Sequence, residues 1–536
     1  MKNEKILRGS EWRKWDLHVH TPISIFQKYG SDSEETWEKY ITDLEQLPET
    51  FSVIGINDYL FLDGYKRLLS EQQENNRLQN RLLIPVVEFR IEKFAGVDFG
   101  KFKRINLHVI FSNELSLETI QSQFLNTLEQ HYFLEKDGTH WERAITRESV
   151  SDLGRNIKLT IPENERSKYG SDLFEGFNNL NVKEDDVLKS LNKDCFKDQY
   201  LIAIGKTEWG DLKWTDASIA TKKSIINRAH IVFTAAKSIE DFNKAKQQLI
   251  NQKVNDLLLD CSDSHTFSYN HEEKDRIGNC FTWIKADPSF DGLKQILNEN
   301  DRVFVGEIPH IKEKVQNNRT KYIDRLKIRP ILGYDNKYGK WFQDVEIPLN
   351  QELVAIIGNK GNGKSAIADI IALCGHCKAQ EDFSFLNRKK FRDGKHANNF
   401  EGTIVWQDGT EETKNLSDDN TRGEIERVKY LPQGYFERLT NEISSTEAFQ
   451  KEIENVVFAH LDADKKVGYN SFKELIEDKK RQSDQEILNL SKKIDKYNQD
   501  IINLESKLHE DYKTEIRQNI QLKRKRIGSF DRASCS

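Results

Sequence analysis

The stretch Ile356–Ser365 constrains the fold of this chain more than any other ten residues. It carries the pattern G-x-x-x-x-G-K-S, which runs from Gly358 to Gly363, Lys364 and Ser365. An apolar run, LVAII, precedes the pattern, and a helix-forming run, AIADIIAL, follows it. This strand–loop–helix order is the context in which a glycine-rich loop binds nucleotide phosphates. The sequence therefore predicts a site for ATP or GTP.

The residue types in this loop have distinct expected roles. Backbone N–H groups between the glycines point at the phosphates, and the N-terminus of the following helix adds positive potential. We expect Lys364 to reach the β- and γ-phosphates and Ser365 to offer its hydroxyl to Mg²⁺. The predicted nucleotide-binding residues are Gly358, Asn359, Lys360, Gly361, Asn362, Gly363, Lys364, Ser365 and Ala366.

Composition limits the class of protein. A chain of 536 residues allows about two to four domains. A net charge of -6 argues against a uniformly basic nucleic-acid coat, although 81 Lys and Arg allow a local basic groove. We see no apolar run long enough to cross a bilayer, no signal peptide, and no disulfide framework among six irregularly spaced cysteines. We therefore expect a cytoplasmic protein.

Short apolar runs between residues 14 and 310 end in potential metal ligands. His18 and His20 lie two residues apart, so a strand would place both side chains on one face. Asp263 and His265 repeat this spacing. Single candidates in the intervening runs are Asp58, Glu88 and His108. Helical patterns separate several of these runs, which favours a parallel α/β barrel whose strand ends converge on one mouth.

The chemistry of this set indicates a metal site. Each residue alone has an ordinary explanation, such as a cap or a turn, but imidazoles and carboxylates together suit Zn²⁺, Mn²⁺ or Fe²⁺. Several such ligands around one mouth suit two or three metals about 3.5–4 Å apart, which can hold the attacking and leaving oxygens of a phosphoester. We therefore predict a metal-dependent phosphoesterase.

The same segments carry a family resemblance. In chain order, WDLHVHT, GINDY, VVEFR, NLHVIFS and SDSH resemble the metal-binding motifs of the PHP (polymerase and histidinol phosphatase) superfamily, over residues 10–310. The resemblance implies a distorted (β/α)7 barrel that hydrolyses phosphoesters at a multinuclear metal centre. It implies the following ligands, with Asp58 beside them: His18, His20, Glu88, His108, Asp263 and His265. The family's second motif usually reads Asp-His, whereas Tyr59 follows Asp58 here; the centre could hold fewer metals, use a substitute ligand or be inactive.

A narrower resemblance concerns the end of the first half. GKTEWGDLKW and FTWIKADPSFDGLKQIL, ahead of a nucleotide-binding loop, resemble the TrlF-type PHP–ATPase proteins. This implies that Glu208 could replace a missing ligand and that Lys206 and Lys285 could bind substrate phosphate. The alternative is that these charges lie on a solvated rim. The polar segment 139–198 indicates an insertion over the barrel mouth.

The second half resembles the opening of an ABC-type ATPase of the SMC class. We place a linker at residues 311–325 and this lobe at residues 326–460, and the resemblance implies that Gln433 is the Q-loop glutamine. No acidic Walker B strand and no ABC signature follow residue 365. We therefore expect a longer chain, a partner chain or a homo-oligomer to supply the second lobe.

Residues 461–527 carry a helical pattern with a regular apolar seam. The seam repeats by three and four residues at Ile487, Leu490, Ile494, Tyr497, Ile501, Leu504 and Leu508. This spacing predicts a coiled-coil arm, the alternative being one amphipathic helix packed on the ATPase lobe.

These observations combine into one functional hypothesis. We expect a nuclease that acts on DNA or RNA, is gated by the ATP-binding SMC-like module, and works in DNA repair or phage defence. One alternative is an ATP-dependent nucleic-acid-binding or sensor protein with a non-catalytic barrel, which Tyr59 supports. The other alternative is a small-molecule phosphatase.

Overall fold

The computed structural model describes residues 8–95, 103–134, 139–205, 219–421, 423–431 and 446–533. It is a mixed α/β protein that divides into two compact units. The first unit comprises Met1–Gly375 and Gly394–Asp418, and the second comprises His376–Asp393 and Asp419–Ser536.

The strands are, in chain order, β1 (Trp12–Val19), β2 (Phe51–Tyr59), β3 (Leu82–Ala95), β4 (Lys103–Phe111), β5 (Glu129–Leu134), β6 (Thr139–Ala144), β7 (Tyr200–Ile204), β8 (Ile231–Thr234), β9 (Leu258–Asp260), β10 (Thr282–Lys285), β11 (Val303–Val305), β12 (Ile323–Pro330), β13 (Val345–Pro348), β14 (Phe400–Trp406) and β15 (Glu411–Asn415). The helices are α1 (Glu34–Gln46), α2 (Asp63–Glu74), α3 (Leu117–Gln123), α4 (Arg147–Leu159), α5 (Asp172–Asn179), α6 (Glu184–Leu191), α7 (Ile219–Arg228), α8 (Ile239–Gln252), α9 (Phe290–Gln295), α10 (His310–Asn317), α11 (Lys364–Cys374), α12 (Thr446–His460), α13 (Ala463–Lys466), α14 (Phe472–Leu508) and α15 (Glu510–Ala533).

The main sheet is nearly closed and barrel-like. Its strands follow the order β11-β10-β1-β2-β3-β4-β7-β8-β9. The chain that leaves β9 returns to β1, where Ser264 forms a parallel bridge with Val19. The segment that follows the edge strand β9 therefore lies beside β1, and this contact nearly closes the sheet.

Two strands of the main sheet, β4 and β10, depart from the predicted parallel arrangement, and β10 is antiparallel to β1 and β11. The β1–β2–β3 and β7–β8–β9 sets are parallel, whereas β4 is antiparallel to both of its neighbours. The prediction of a wholly parallel barrel is therefore wrong. Only residues 96–102 separate β3 from β4, and a parallel crossover needs about a dozen residues or more, so the chain reverses direction there.

Two hydrophobic clusters lie on the two faces of this sheet. Neighbouring residues of β3 show the alternation, because Val87 belongs to one cluster and Val86 to the other. The first cluster lies between the sheet and helices such as α1, α2 and α8. The second includes Trp15 and Leu17 of β1, together with Phe290 and Leu293 of α9. It fills one end of the barrel-like sheet and leaves the other end to polar side chains.

Residues 323–348 and 400–415 add a second, antiparallel sheet to the first unit. Its order is β13-β12-β14-β15, and α11 packs on β14 where Gly402 has no side chain. The apolar run that precedes the glycine-rich loop forms no strand, so the predicted strand is wrong. Leu353 and Ile357 are 89% and 91% exposed. Strand propensity needs neighbouring strands and burial to take effect, and no described strand pairs with this run.

The second unit is dominated by the long helix α14. Ser471 caps its N-terminus by accepting a hydrogen bond from the Glu474 N–H, and the helix ends at Leu508. The predicted helix is confirmed. The seven seam residues are between 50% and 70% exposed, so their coiled-coil pairing stays a prediction. None of the described helices is both long enough and apolar enough to cross a membrane.

Candidate metal centre

An irregularity in β1 turns two histidines into the barrel. Asp16 of β1 pairs with Ile54 of β2 and Val19 pairs with Ile56, so β1 advances by three residues where β2 advances by two. Such a bulge changes which side chains face inward. As a result, Leu17 lies in the inner cluster while the adjacent His18 also faces inward and lines a cavity. The side chain of His20 is completely buried beside it.

A glycine in β2 makes room for this bulge. A Cβ atom built on Gly55 would lie 2.6 Å from the carbonyl oxygen of Leu17 and 2.7 Å from its Cα. Both atoms belong to the backbone, so they cannot move aside as the end of a side chain could. The bulge that positions the histidines therefore requires glycine at residue 55.

The antiparallel strand β4 brings a third imidazole to the site. Glu88 of β3 pairs directly with His108 of β4, and both side chains are completely buried. His108 was expected at the end of a parallel strand. The reversed strand instead delivers it from the middle of β4, because direct pairing places the two side chains on the same face of the sheet.

The remaining pair comes from the chain that follows β9. Asp263 has a φ of +52°, in the left-handed region that Asp adopts more readily than most residues. The flanking residue Ser264 exchanges hydrogen bonds with β1, accepting from the His20 N–H at 3.1 Å and donating to the His18 carbonyl at 3.3 Å. The contact that nearly closes the sheet thus places Asp263 and His265 beside the two histidines of β1.

The ligand atoms of these residues converge. Two groups could each hold a metal ion and share His18: one adds Glu88 and His108, and the other adds His20 and Asp263. The Nε2 atom of His18 lies 3.0 Å from Asp263 Oδ1 and 3.2 Å from Glu88 Oε2. It also lies 3.2 Å from His20 Nε2. Ligand atoms about 2.0–2.2 Å from a common metal lie roughly 3.0–3.5 Å from one another, so these separations fit a metal centre.

Hydrogen bonds orient the imidazoles toward the cavity. His265 Nδ1–H donates to the Asp263 carbonyl at 2.8 Å. Asn57 Nδ2 donates to Glu88 Oε2 at 2.8 Å, which turns Asn57 Oδ1 toward His108 Nδ1 at 3.2 Å, so that His108 Nδ1–H is the donor. In both imidazoles the buried Nε2 atom has no hydrogen-bond partner within the described chain. Buried polar atoms are rarely left this way, and a second-shell acceptor on the other nitrogen is typical of metal-ligating histidine.

The electrostatics favour a cation at this point. Burial alone would raise the pKa of Glu88, but the nearby His108 and His18 lower it to about 2. Burial lowers the pKa of His108 to about 3, and burial together with His265 lowers the pKa of His20 to about 4. Burial also opposes protonation of His18, yet the charges of Asp263 and Glu88 raise its pKa well above the usual value. The carboxylates are thus ionised, and His20 and His108 are neutral imidazoles with an available lone pair. At His18 the two carboxylates favour a positive charge, which is a proton in the metal-free protein.

Asp58 occupies a supporting position. Its two oxygens accept hydrogen bonds from the Thr21 N–H at 2.9 Å and the Thr21 hydroxyl at 2.7 Å. It lies 4.0 Å from His20 Nδ1 and belongs to neither ligand group. Burial raises its pKa to about 6. The next residue, Tyr59, stacks on the His20 ring with centroids 4.7 Å apart.

Among the remaining predicted site residues, Lys285 does not join the centre. Lys285 forms an ion pair with Glu352. It pairs in register with Trp12, at the opposite end of β1 from the histidines, because β10 runs antiparallel to β1. Lys206, Glu208 and Gln433 lie outside the described residues.

A cavity of about 300 Å³ opens onto the ligand atoms. Its lining residues are His18, Phe26, Lys28, Tyr59, Glu88, Arg90, Asn106, His108, Gly205, Phe233, Thr234, Ala235, Cys261, Asp263, His265 and Asp275. Sequence reasoning missed Asn57, Arg90 and Asn106. Arg90 could have been predicted from the sequence, because a residue two positions after Glu88 on a strand faces the same side. The sequence contained no comparable pattern that would have assigned Asn57 or Asn106 to the site.

A third group of possible ligands is exposed on the β5–β6 hairpin. It consists of Glu129, His131 and Glu142. The side chains of His131 and Glu142 are 57% and 64% exposed and lie 3.2 Å apart. Exposed groups of this kind are common without a bound ion, so His131 serves as a control position for the buried centre.

The glycine-rich loop lies in the same unit and has part of the expected form. Gly358, Gly361 and Gly363 have φ values of +155°, +90° and +88°, and α11 begins directly after the loop. Lys364 Nζ donates to the carbonyls of Gly358 and Asn359 at 2.7 and 3.0 Å. The other predicted loop residues, Lys360, Asn362, Ser365 and Ala366, lie in the loop or the first turn of α11. The lysine thus folds back over the loop in which phosphates are expected.

No protein-family model matches the chain, and no curated protein matches it. Fold and site together define a mixed α/β protein with a nearly closed, barrel-like sheet. Buried imidazoles and carboxylates inside this sheet could hold a metal ion. The chemistry of that centre is therefore the basis for inferring a function.

Proposed function

We propose that this protein is a metal-dependent phosphoesterase, a nuclease of the PHP type acting on DNA or RNA. The observation that carries the proposal is the pair of buried ligand groups that share His18. A ligand set of imidazoles and carboxylates suits Mn²⁺, Zn²⁺ or Fe²⁺ rather than Ca²⁺ or Mg²⁺. The unpartnered Nε2 atoms of His108 and His265 support the same assignment.

The residues of the chain have separate roles in this proposal. His18, Glu88, His108, His20 and Asp263 hold the metal. Divalent cations held there supply Lewis-acid catalysis to phosphoester hydrolysis. The hydrogen bonds of the second shell keep the imidazoles in one tautomer, and the surrounding hydrophobic clusters limit access of water to the open side of the cavity.

The nucleotide-binding loop supplies regulation in this proposal. ATP with Mg²⁺ binds at residues 358–366, and an SMC-like second lobe from another chain or a second copy completes the ATPase. The left-handed glycines, the following helix and the position of Lys364 support nucleotide binding. DNA repair or phage defence is the corresponding biological role, which we infer from the combination of the two modules.

Metal analysis combined with a nuclease assay tests the proposal. We expect purified protein to contain Mn, Zn or Fe and to hydrolyse DNA or RNA. His20→Ala should lose metal and cleavage. The matched control His131→Ala, at the exposed hairpin group, should retain both. Lys364→Ala should retain metal and basal cleavage but lose the response to ATP.

Several results would contradict the proposal. Cleavage by His20→Ala at the wild-type rate would exclude the barrel as the catalytic part. Metal-loaded protein that hydrolyses neither nucleic acid nor a phosphomonoester would favour the second candidate, a nucleic-acid-binding or sensor protein. The observation that favours that candidate is Tyr59. It occupies the position at which the PHP resemblance implies a histidine, and its ring stacks on His20.

A further inference from the structure

A cationic side chain of β3 lines the cavity at the candidate metal centre. Arg90 follows Glu88 by two residues on the same strand and lines the same cavity. Among the described residues, no carboxylate forms an ion pair with its guanidinium. Lys28, the other cationic residue of the lining, forms an ion pair with Asp275 at 2.9 Å. One cation of the cavity is therefore neutralised and the other is not.

The guanidinium of Arg90 is held in place without being neutralised. Its Cζ atom lies 4.3 Å from the ring centroid of Phe177 and 5.5 Å from that of Tyr59. Arg90 Nη1 donates to Asn178 Oδ1 at 3.1 Å, which is the one hydrogen bond of this guanidinium in the described part of the chain. A guanidinium has five N–H donors in a planar fork. Stacking on two aromatic rings and a hydrogen bond to one neutral acceptor hold the guanidinium in place, and its other N–H groups can donate to a ligand.

The cavity limits what this ligand can be. Its volume of about 300 Å³ lies at the lower end of the usual range for ligand sites, roughly 300–1,000 Å³. That volume accommodates one phosphorylated residue rather than a continuous polynucleotide duplex. A planar fork that carries a full charge beside a metal centre matches the non-bridging oxygens of a phosphoryl group.

We propose that Arg90 binds the terminal phosphate of the substrate and thereby makes the centre selective for a phosphoryl group at a chain end. This inference rests on the proposed phosphoesterase function. The phosphate could belong to the end of a nucleic acid or to a small phosphomonoester, and both present the same dianion. Tyr59 takes part indirectly, because its ring packs against both Arg90 and His20.

Steady-state kinetics on metal-loaded protein tests the proposal. The substrates are p-nitrophenyl phosphate and a single-stranded oligonucleotide with or without a 5′- or 3′-phosphate. Arg90→Gln should raise KM for the phosphorylated substrates about ten- to hundredfold, the usual effect of losing a charge-assisted hydrogen bond. Arg90→Lys should recover only part of this loss, because an ammonium lacks the fork and the stacking. The matched control Lys28→Gln removes a cation already paired with Asp275 and should change KM less than about threefold.

Binding of inorganic phosphate provides a readout that does not depend on turnover. Calorimetry on metal-loaded protein should show Arg90→Gln weakening phosphate affinity by the same factor as KM, with unchanged metal content. Equal phosphate affinities for Arg90→Gln and Lys28→Gln would overturn the inference. Substrate hydrolysis by the wild type in the kinetic assay would in that case leave the phosphoesterase proposal standing. Loss of metal from both Arg90 variants would also overturn the inference. Phosphate binding without any hydrolysis would refute the phosphoesterase proposal and retain the anion site. A preference for the phosphorylated oligonucleotide over p-nitrophenyl phosphate would identify a nucleic-acid end as the source, and the reverse preference a small phosphomonoester.

Discussion

Replacing Asn57 by leucine would remove the amide that connects two ligands of the centre while nearly preserving side-chain volume. The side chain is completely buried. Its Nδ2 donates to Glu88 Oε2, and its Oδ1 accepts from His108 Nδ1–H. Leucine can do neither, so His108 becomes free to adopt the tautomer in which Nε2 carries the proton. That tautomer cannot bind a metal through Nε2.

The magnitude of the effect depends on how many metal ligands the amide supports. Removing an outer-shell partner of a metal ligand typically costs about 10- to 100-fold in metal affinity, which corresponds to about 1.4–2.7 kcal/mol. Asn57 supports two ligands at once, so we expect Asn57→Leu to fall near the upper end of that range. In the metal-free protein the same change leaves buried polar atoms unpaired, which costs about 1–3 kcal/mol of unfolding free energy.

A metal-buffered titration measures the effect directly. Apo-protein is titrated with Mn²⁺ or Zn²⁺ under competition with a chelator of known affinity, and urea unfolding reports stability. Asn106→Leu is the matched control, because Asn106 donates to Glu88 but not to His108. If the tautomer of His108 matters, Asn57→Leu should lose more metal affinity than Asn106→Leu. Metal affinity of Asn57→Leu within about twofold of the wild type would refute the reasoning.

Two further predictions concern the barrel that carries the centre. Gly55→Ala should destabilise the protein by about 1–3 kcal/mol or more, because the new Cβ would lie 2.6 Å from the Leu17 carbonyl oxygen. Urea unfolding measures this loss of stability. The control is Gly423→Ala, whose Cβ would meet no atom within 4 Å and which should change stability little. Removing metal with a chelator should lower the thermal midpoint, since a ligand at 100 times its Kd stabilises a fold by about 2.7 kcal/mol. Calorimetry with and without restored metal tests the second prediction. An unchanged midpoint in the wild type would count against a metal in the barrel, and His20→Ala, which should hold no metal, is the control expected to show no shift.

Local spacing in the sequence was enough to predict several of the buried residues that could hold a metal ion. His18 and His20 lie two residues apart, as do Asp263 and His265. The structure brings His18, His20 and Asp263 into one group that could hold a metal ion, and the ring of His265 lies beside His20 with centroids 4.3 Å apart. Spacing could not predict the direction of β4, which depends on the short connection after β3. Even so, His108 reaches the site, because direct pairing with Glu88 imposes a common face whichever way the strand runs.

Other features depend on contacts that no local pattern encodes. Lys285 was assigned to the site from a resemblance, yet antiparallel pairing of β10 places it at the far end of β1. The run LVAII was predicted as a strand from its composition, yet no described strand pairs with it. Asn57 and Arg90 gain their significance from neighbours distant in sequence, such as His108 and Phe177. The sequence therefore indicated which imidazoles and carboxylates come together better than it indicated strand direction or the hydrogen-bond partners of these side chains.

The closing contact of the sheet connects metal binding to the integrity of the barrel. Asp16 Oδ1 accepts hydrogen bonds from the backbone N–H groups of His18 at 3.4 Å and Ser262 at 3.1 Å. One buried carboxylate thus links the bulge of β1 to the segment that carries Asp263. Side chains of β1 and of the segment after β9 can surround one ion only when this contact is formed. A metal bound by both segments must therefore stabilise closure, and opening of that contact must weaken metal binding by the same free energy.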